Sequence, residues 1–171
     1  EELEGSADVS AAIRPAPTRL PESAYAAEHL VRPSVSPHVY IETDKGTIVV
    51  ELAVLDAPIT ADNFATLARA GYFNGLVFHR VVPNYVVQTG DPRGDSEGGP
   101  GYTIRDELNQ IPYLRGTVGM ARDWSDTGGS QFFITHSPQP RLDARYTAFG
   151  TVIAGMDVVD QVAEGDVIVR A

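Results

Sequence analysis

The sequence predicts a mainly β fold, a closed antiparallel eight-stranded barrel with two short α-helices over its ends. Three observations predict it. Eight runs of five or six residues are rich in β-branched and aromatic side chains. Only two windows carry a helical spacing of apolar residues, and glycine or proline punctuates the gaps. Many short strands with two short helices suit a barrel, which leaves no sheet edge unpaired.

The elements follow in order from His38. His38–Thr43 and Thr47–Leu52 are β-rich and flank Asp44-Lys-Gly46, which reads as a hairpin. Ala61–Ala70 reads as a helix with Thr60 as N-cap, Phe64, Leu67 and Ala68 on one face, and Gly71 as its stop. Leu76–Arg80 and Tyr85–Thr89 read as strands around Pro83-Asn84, with Phe78, Arg80 and Val82 on one face by alternation. Gly90–Gly101 holds five glycines and reads as a long irregular loop. Thr117–Ala121, Gln131–Thr135 and Ala148–Val152 are further strands, Met156–Ala163 a second short helix, and Asp166–Arg170 a closing strand.

Residues 1–37 differ in character. They hold five of the twelve prolines and little apolar periodicity, so they read as an extension or linker before a domain at 38–171. A short helix around Glu22–Leu30 is expected within them. The chain begins at Glu1 rather than Met, which reads as a processed form or a piece of something longer, and leaves cytoplasmic and exported locations both open.

Composition excludes several functions. The 171 residues suffice for one full core but not comfortably for two. A net charge of −10 and a single lysine, Lys45, argue against nucleic-acid binding. No apolar run approaches the ~20 residues of a membrane-spanning helix. With no cysteine, thiolate chemistry and cysteine-held zinc are excluded, and the four histidines lack metal-ligand spacing, so neither metal nor cofactor is expected. Arg93-Gly94-Asp95 is read as a chance tripeptide.

Three stretches carry chemistry. Phe78-His-Arg-Val-Val-Pro-Asn-Tyr-Val-Val-Gln-Thr-Gly-Asp91 places Arg80 and Gln88 at interior-type positions, where a partly buried charge needs a partner or a purpose. On these residues alone a satisfied core ion pair or a strand-edge arginine is the better reading. Gly128-Gly-Ser-Gln-Phe-Phe-Ile-Thr135 sends Phe132 and Phe133 to opposite faces, one into the core and one elsewhere. Leu142-Asp-Ala-Arg-Tyr-Thr-Ala-Phe-Gly-Thr-Val152 is the third. His79 alternates away from Arg80 and reads as structural, and Trp124 as a loop residue packing locally.

Together, in this order and spacing, these stretches resemble the cyclophilin family from about His38 onward. Gly99–Asn109 looks like the equivalent segment of its bacterial members. The resemblance implies a cyclophilin-like barrel with peptidyl-prolyl cis–trans isomerase activity on proline-containing peptides and folding proteins. It assigns Arg80 and Gln88 to catalysis, Tyr85, Val86, Phe133 and Leu142 to the proline pocket, and Ala121, Arg122, Gln131 and Tyr146 to the rest of the groove. A monomer is expected. A cyclophilin-fold module that docks proline-containing segments without turnover is the alternative. The rim departs from the family's common eukaryotic form: Arg141 replaces a Trp, Tyr146 a His and Arg122 an Asn, and Val86 stands where Met is usual. That Trp contacts cyclosporin, so the resemblance implies weak cyclosporin binding here.

Overall fold

The computed structural model describes residues 36–171, and the Glu22–Leu30 helix expected from the sequence lies outside them. The eight expected strands are present as β1 (His38–Thr43), β2 (Gly46–Leu52), β3 (Arg80–Val82), β4 (Val86–Thr89), β5 (Thr117–Met120), β6 (Phe132–Thr135), β7 (Ala148–Ala154) and β8 (Ile168–Arg170). The two helices are α1 (Pro58–Arg69) and α2 (Met156–Gln161), and a 3₁₀ turn spans Pro140–Leu142. Among the described residues no helix is long and apolar enough to cross a membrane.

All strand pairs are antiparallel, in the order β3-β4-β6-β5-β7-β2-β1-β8. The sheet is therefore a curled half-barrel, which corrects the expectation of a closed barrel. Its edge strands, β3 and β8, form no ladder with each other. The expected strand Leu76–Arg80 is split, and only its last residue enters a ladder. Its first part bonds irregularly to the segment before β8: Phe78 N–H donates to Asp166 O at 2.8 Å and Ile168 N–H to Leu76 O at 2.9 Å. Gly75 N–H also donates to Ile168 O at 2.7 Å and Gly165 N–H to Phe78 O at 2.9 Å, so a short run of bonds around the bridge Val77–Val167, not a continuous ladder, joins the two sides there.

The β1–β2 hairpin forms as its sequence predicts, with Thr43 paired to Gly46 around Asp44-Lys45. Gly46 has φ 140°, and the Thr43 hydroxyl donates to its carbonyl at 3.0 Å. Helix α1 begins two residues before Thr60. Pro58 occupies the first turn, where its missing N–H is no loss. Ala57 is the N-cap and has no side chain to offer, so the cap comes from far along the chain. The Glu107 carboxylate accepts from Ile59 N–H at 3.0 Å, Thr60 N–H at 2.7 Å and the Thr60 hydroxyl at 2.7 Å. The C-terminus follows the sequence. Gly71 has φ 69°, Tyr72 N–H donates to Leu67 O and Gly71 N–H to Ala68 O, the paired bonds that glycine permits after a helix.

Helix α1 closes the core. Phe64 packs its ring 5.0 Å from Phe73, 4.9 Å from Phe132 and 5.1 Å from Phe149. All four are fully buried, each contributing about 1.5–3 kcal/mol relative to exposure. A second, smaller buried cluster joins Val86, Tyr113, Phe133, Leu142 and Ala148. It lies on the other face of the same strands, and the candidate site is built on it.

Candidate active site

Strand register sets the site. Arg80 lies opposite Gln88, Gln88 opposite Phe133, and Phe133 opposite Gly119, one row across β3, β4, β6 and β5. Neighbouring rows face opposite ways. The adjacent row, Val81, Val87, Ile134 and Val118, packs into the main core. The sequence reading places Phe78 on the face of Arg80 and makes the arginine partly buried. Instead Phe78 is fully buried in the core and Arg80 is exposed. The ladder starts only at Arg80, so strict alternation does not reach back to Phe78.

A directed hydrogen-bond relay runs along this row. Arg80 Nη1 donates to Gln88 Oε1 at 3.1 Å, and Gln88 Nε2 donates to Gln131 Oε1 at 3.0 Å. Gln131 Nε2 donates to Ser96 O and Gly98 O, both at 2.9 Å. The direction is forced at both ends. Backbone carbonyls only accept, so the Gln131 amide must turn its NH₂ to them; a guanidinium only donates, so Gln88 must turn its oxygen to Arg80. Two amides thus hold one edge of Arg80.

Beside the relay lies an apolar pocket. Phe133 stacks on Tyr113 at 5.6 Å and 23°, and meets Tyr146 edge-on at 5.7 Å and 88°. Gly119 makes room for this, since a methyl group there would overlap both the Phe133 ring and the Tyr113 hydroxyl. Val86 and Leu142 are buried beside Phe133, with Tyr85, Ala121 and Tyr146 packed against them. Arg122 braces the rim. It pairs with Asp106 at 2.8 Å, donates to Arg145 O at 2.6 Å and sits 5.5 Å from the Tyr146 ring centroid. The structure brings all ten sequence-predicted residues to one groove of about 530 Å³. His79 stays outside its lining, with both ring nitrogens buried and unpartnered, and burial pushes its pKa below the ordinary value. Trp124, expected to pack locally, is 79% exposed.

The far wall is what sequence reasoning missed. Ser96, Gly98, Gly99, Tyr102, Thr103 and Thr127 also line the groove. The 90–101 segment reads only as irregular, yet Asp91 organises it. Its carboxylate accepts N–H bonds from Arg93 at 2.8 Å, Asp95 at 3.0 Å and Ser96 at 2.6 Å. Asp91 is 1% exposed, and Gly98 passes so close that a methyl group there would overlap it. An Asp opening a Gly-rich run is the local signal, because such side chains fold the following backbone onto themselves.

This carboxylate gives a pH-dependent prediction. Burial raises the Asp91 pKa, but the backbone N–H groups of Arg93, Gly98, Ser96 and Gly94 outweigh it and hold the pKa below its ordinary 3.8. A depressed folded pKa adds stability above pH 3.8 that is lost as pH falls through the folded value. Asp91→Asn therefore costs about 1.5–3 kcal/mol at pH 7. The gap from wild type narrows at pH 3, below the ordinary carboxylate value, because the unfolded chain takes up a proton there that the folded carboxylate resists. Urea unfolding at both pH values checks this, and an equal gap at both contradicts it.

Residues 38–170 match the family model described as "Cyclophilin type peptidyl-prolyl cis-trans isomerase/CLD". A peptidyl-prolyl cis–trans isomerase of Synechococcus elongatus is 51% identical over 110 residues, covering 64% of this chain and 76% of that protein. Peptidyl-prolyl cis–trans isomerase B of Bacillus subtilis is 44% identical over 131 residues, covering 75% and 92%. Among solved structures, a Cryptosporidium parvum cyclophilin-type isomerase, crystallised in the presence of the dipeptide Ala-Pro, superimposes with a TM-score of 0.70 at 30% identity, covering 77% of this chain and 98% of that one. Family model, relatives and fold agree with the motifs, and the chain belongs to the cyclophilin-type peptidyl-prolyl cis–trans isomerases.

Proposed function

We propose that the isomerase activity of this chain resides in the groove around Arg80, with Arg80 stabilising the twisted X-Pro amide and Gln88 holding it in place. The observation that carries this reading is the relay. It fixes one edge of the guanidinium, while Arg80 has no carboxylate within ion-pair distance among the described residues. The remaining N–H groups are left for substrate.

The chemistry needs little else. Rotation about X-Pro meets a barrier of roughly 20 kcal/mol, because nitrogen donates its lone pair into the carbonyl. In the twisted state that pair localises on nitrogen and becomes an acceptor. A positioned guanidinium donates to it without proton transfer or a covalent intermediate. Phe133, with Val86, Leu142, Tyr85 and Tyr146, seats the proline ring. Ala121 and Arg122 shape the adjoining wall, and Gln131 anchors the relay. Interactions stronger in the twisted state than in either planar state raise the rate by tenfold per ~1.4 kcal/mol. The groove draws all ten side chains from one chain, which supports action as a monomer on proline-containing segments.

Arg80→Ala is expected to lower kcat/KM about a hundredfold or more in an exchange-NMR assay of a proline tetrapeptide, the scale of losing one preorganised transition-state donor. Its circular dichroism should remain that of wild type, since Arg80 is exposed. Near-wild-type turnover overturns the mechanism. Arg141, a charged side chain where the resemblance places the drug-contacting Trp, supports weak cyclosporin binding. A calorimetric titration giving tight binding contradicts it.

A further inference from the structure

The groove carries opposite charge at its two ends. Strand β4 measures the distance between them: Tyr85 precedes it at one end, and Gln88 lies three residues on, about 10 Å away along an extended chain. The Gln88 end leads through Gln131 to Ser96 and Gly98. Glu97 lines the groove there, with no cation within ion-pair distance among the described residues.

The Tyr85 end is cationic. Arg141 sits 4.5 Å from the Tyr85 ring centroid, and Arg80, which bonds Gln88, reaches back to within 5.7 Å of it. Neither has a carboxylate within ion-pair distance among the described residues, whereas Arg93, Arg115, Arg122 and Arg170 each pair with one. The Arg141 position is set by the fold. It lies within the 3₁₀ turn Pro140–Leu142, whose Leu142 is 5% exposed in the pocket wall, so the preceding residue is carried to the groove's rim. Two guanidiniums thus lie against one aromatic ring in a chain whose net charge is −10. Both side chains are exposed and open to an arriving group. An anionic group arriving at this rim is attracted by both.

We propose that Arg141 is a specificity-determining residue that favours substrates with an aspartate or glutamate flanking the proline, on the side that lies over Tyr85. This rests on the groove being the isomerase site. An isolated ion pair at such a rim is modest, so the expected preference is about two- to fivefold in kcat/KM, and it weakens with salt.

The test uses peptides of the form Ala-Ala-Pro-Phe with a Glu or a Gln added either before the X-Pro pair or after it, assayed by exchange NMR at low salt on the whole chain. The readout is the Glu-to-Gln ratio of kcat/KM within each placement. In the wild type one placement should give a ratio of about three, in line with a weak surface ion pair. That ratio should fall to about one in Arg141→Gln and below one in Arg141→Glu. No acidic advantage in either placement, an equal advantage in both, or an advantage that survives Arg141→Gln overturns the proposal. Failure of the groove reading itself looks different, because Arg80→Ala would then retain turnover of the Gln peptides.

Discussion

The hydrogen-bond relay from Arg80 through Gln88 and Gln131 to the carbonyls of Ser96 and Gly98 is the interaction on which the site depends. A free arginine samples many rotamers, and fixing one costs up to about 2 kcal/mol of side-chain entropy. The relay meets part of that cost at folding, before any substrate arrives. It holds only if four separate pieces of chain are in place: β3 with Arg80, β4 with Gln88, Gln131 just before β6, and the 90–101 loop with its two carbonyls. Antiparallel pairing of β3, β4 and β6 supplies the first three, and the Asp91 carboxylate folds the fourth. An exposed guanidinium is thus tied to a buried acid that never touches the groove.

The same strands carry core and groove on opposite faces, and consecutive phenylalanines divide the labour. Phe132 points into the aromatic cluster around Phe64, while Phe133 floors the pocket. Gly119 shows how tight this second face is, because any side chain there would displace the ring above it. Tyr113 fills the remaining space with a hydroxyl that is buried and unpartnered, and burial pushes its pKa well above the ordinary range. Dense packing behind Phe133 leaves the ring one position.

Period-two alternation made much of this legible in the sequence, since it separates Phe132 from Phe133 and pairs Val86 with Gln88. Compound motifs then brought all ten groove residues together by name. What alternation cannot supply is the point at which a ladder begins. Phe78 and Arg80 read as one face, but β3 starts at Arg80, so the first is core and the second solvent-facing. The sheet is a half-barrel for a related reason: the ladder stops at Arg80, and Leu76 and Phe78 meet Asp166 and Ile168 only through a short run of bonds around one bridge. Long-range capping is equally invisible locally: Thr60 looks like an N-cap, yet Glu107, 47 residues on, supplies the oxygen. The groove's far wall escaped because Gly90–Gly101 has no periodicity, and its order comes from one buried side chain.

The central claim is that Arg80 acts through a position held by Gln131. A double-mutant cycle tests it most directly, comparing kcat/KM by exchange NMR for wild type, Arg80→Ala, Gln131→Ala and the pair. If the relay sets the guanidinium, Gln131→Ala lowers kcat/KM about tenfold or more when Arg80 is present and far less once Arg80 is gone, a coupling above about 1 kcal/mol. Strictly additive losses would contradict the account, because Gln131 would then act independently of Arg80.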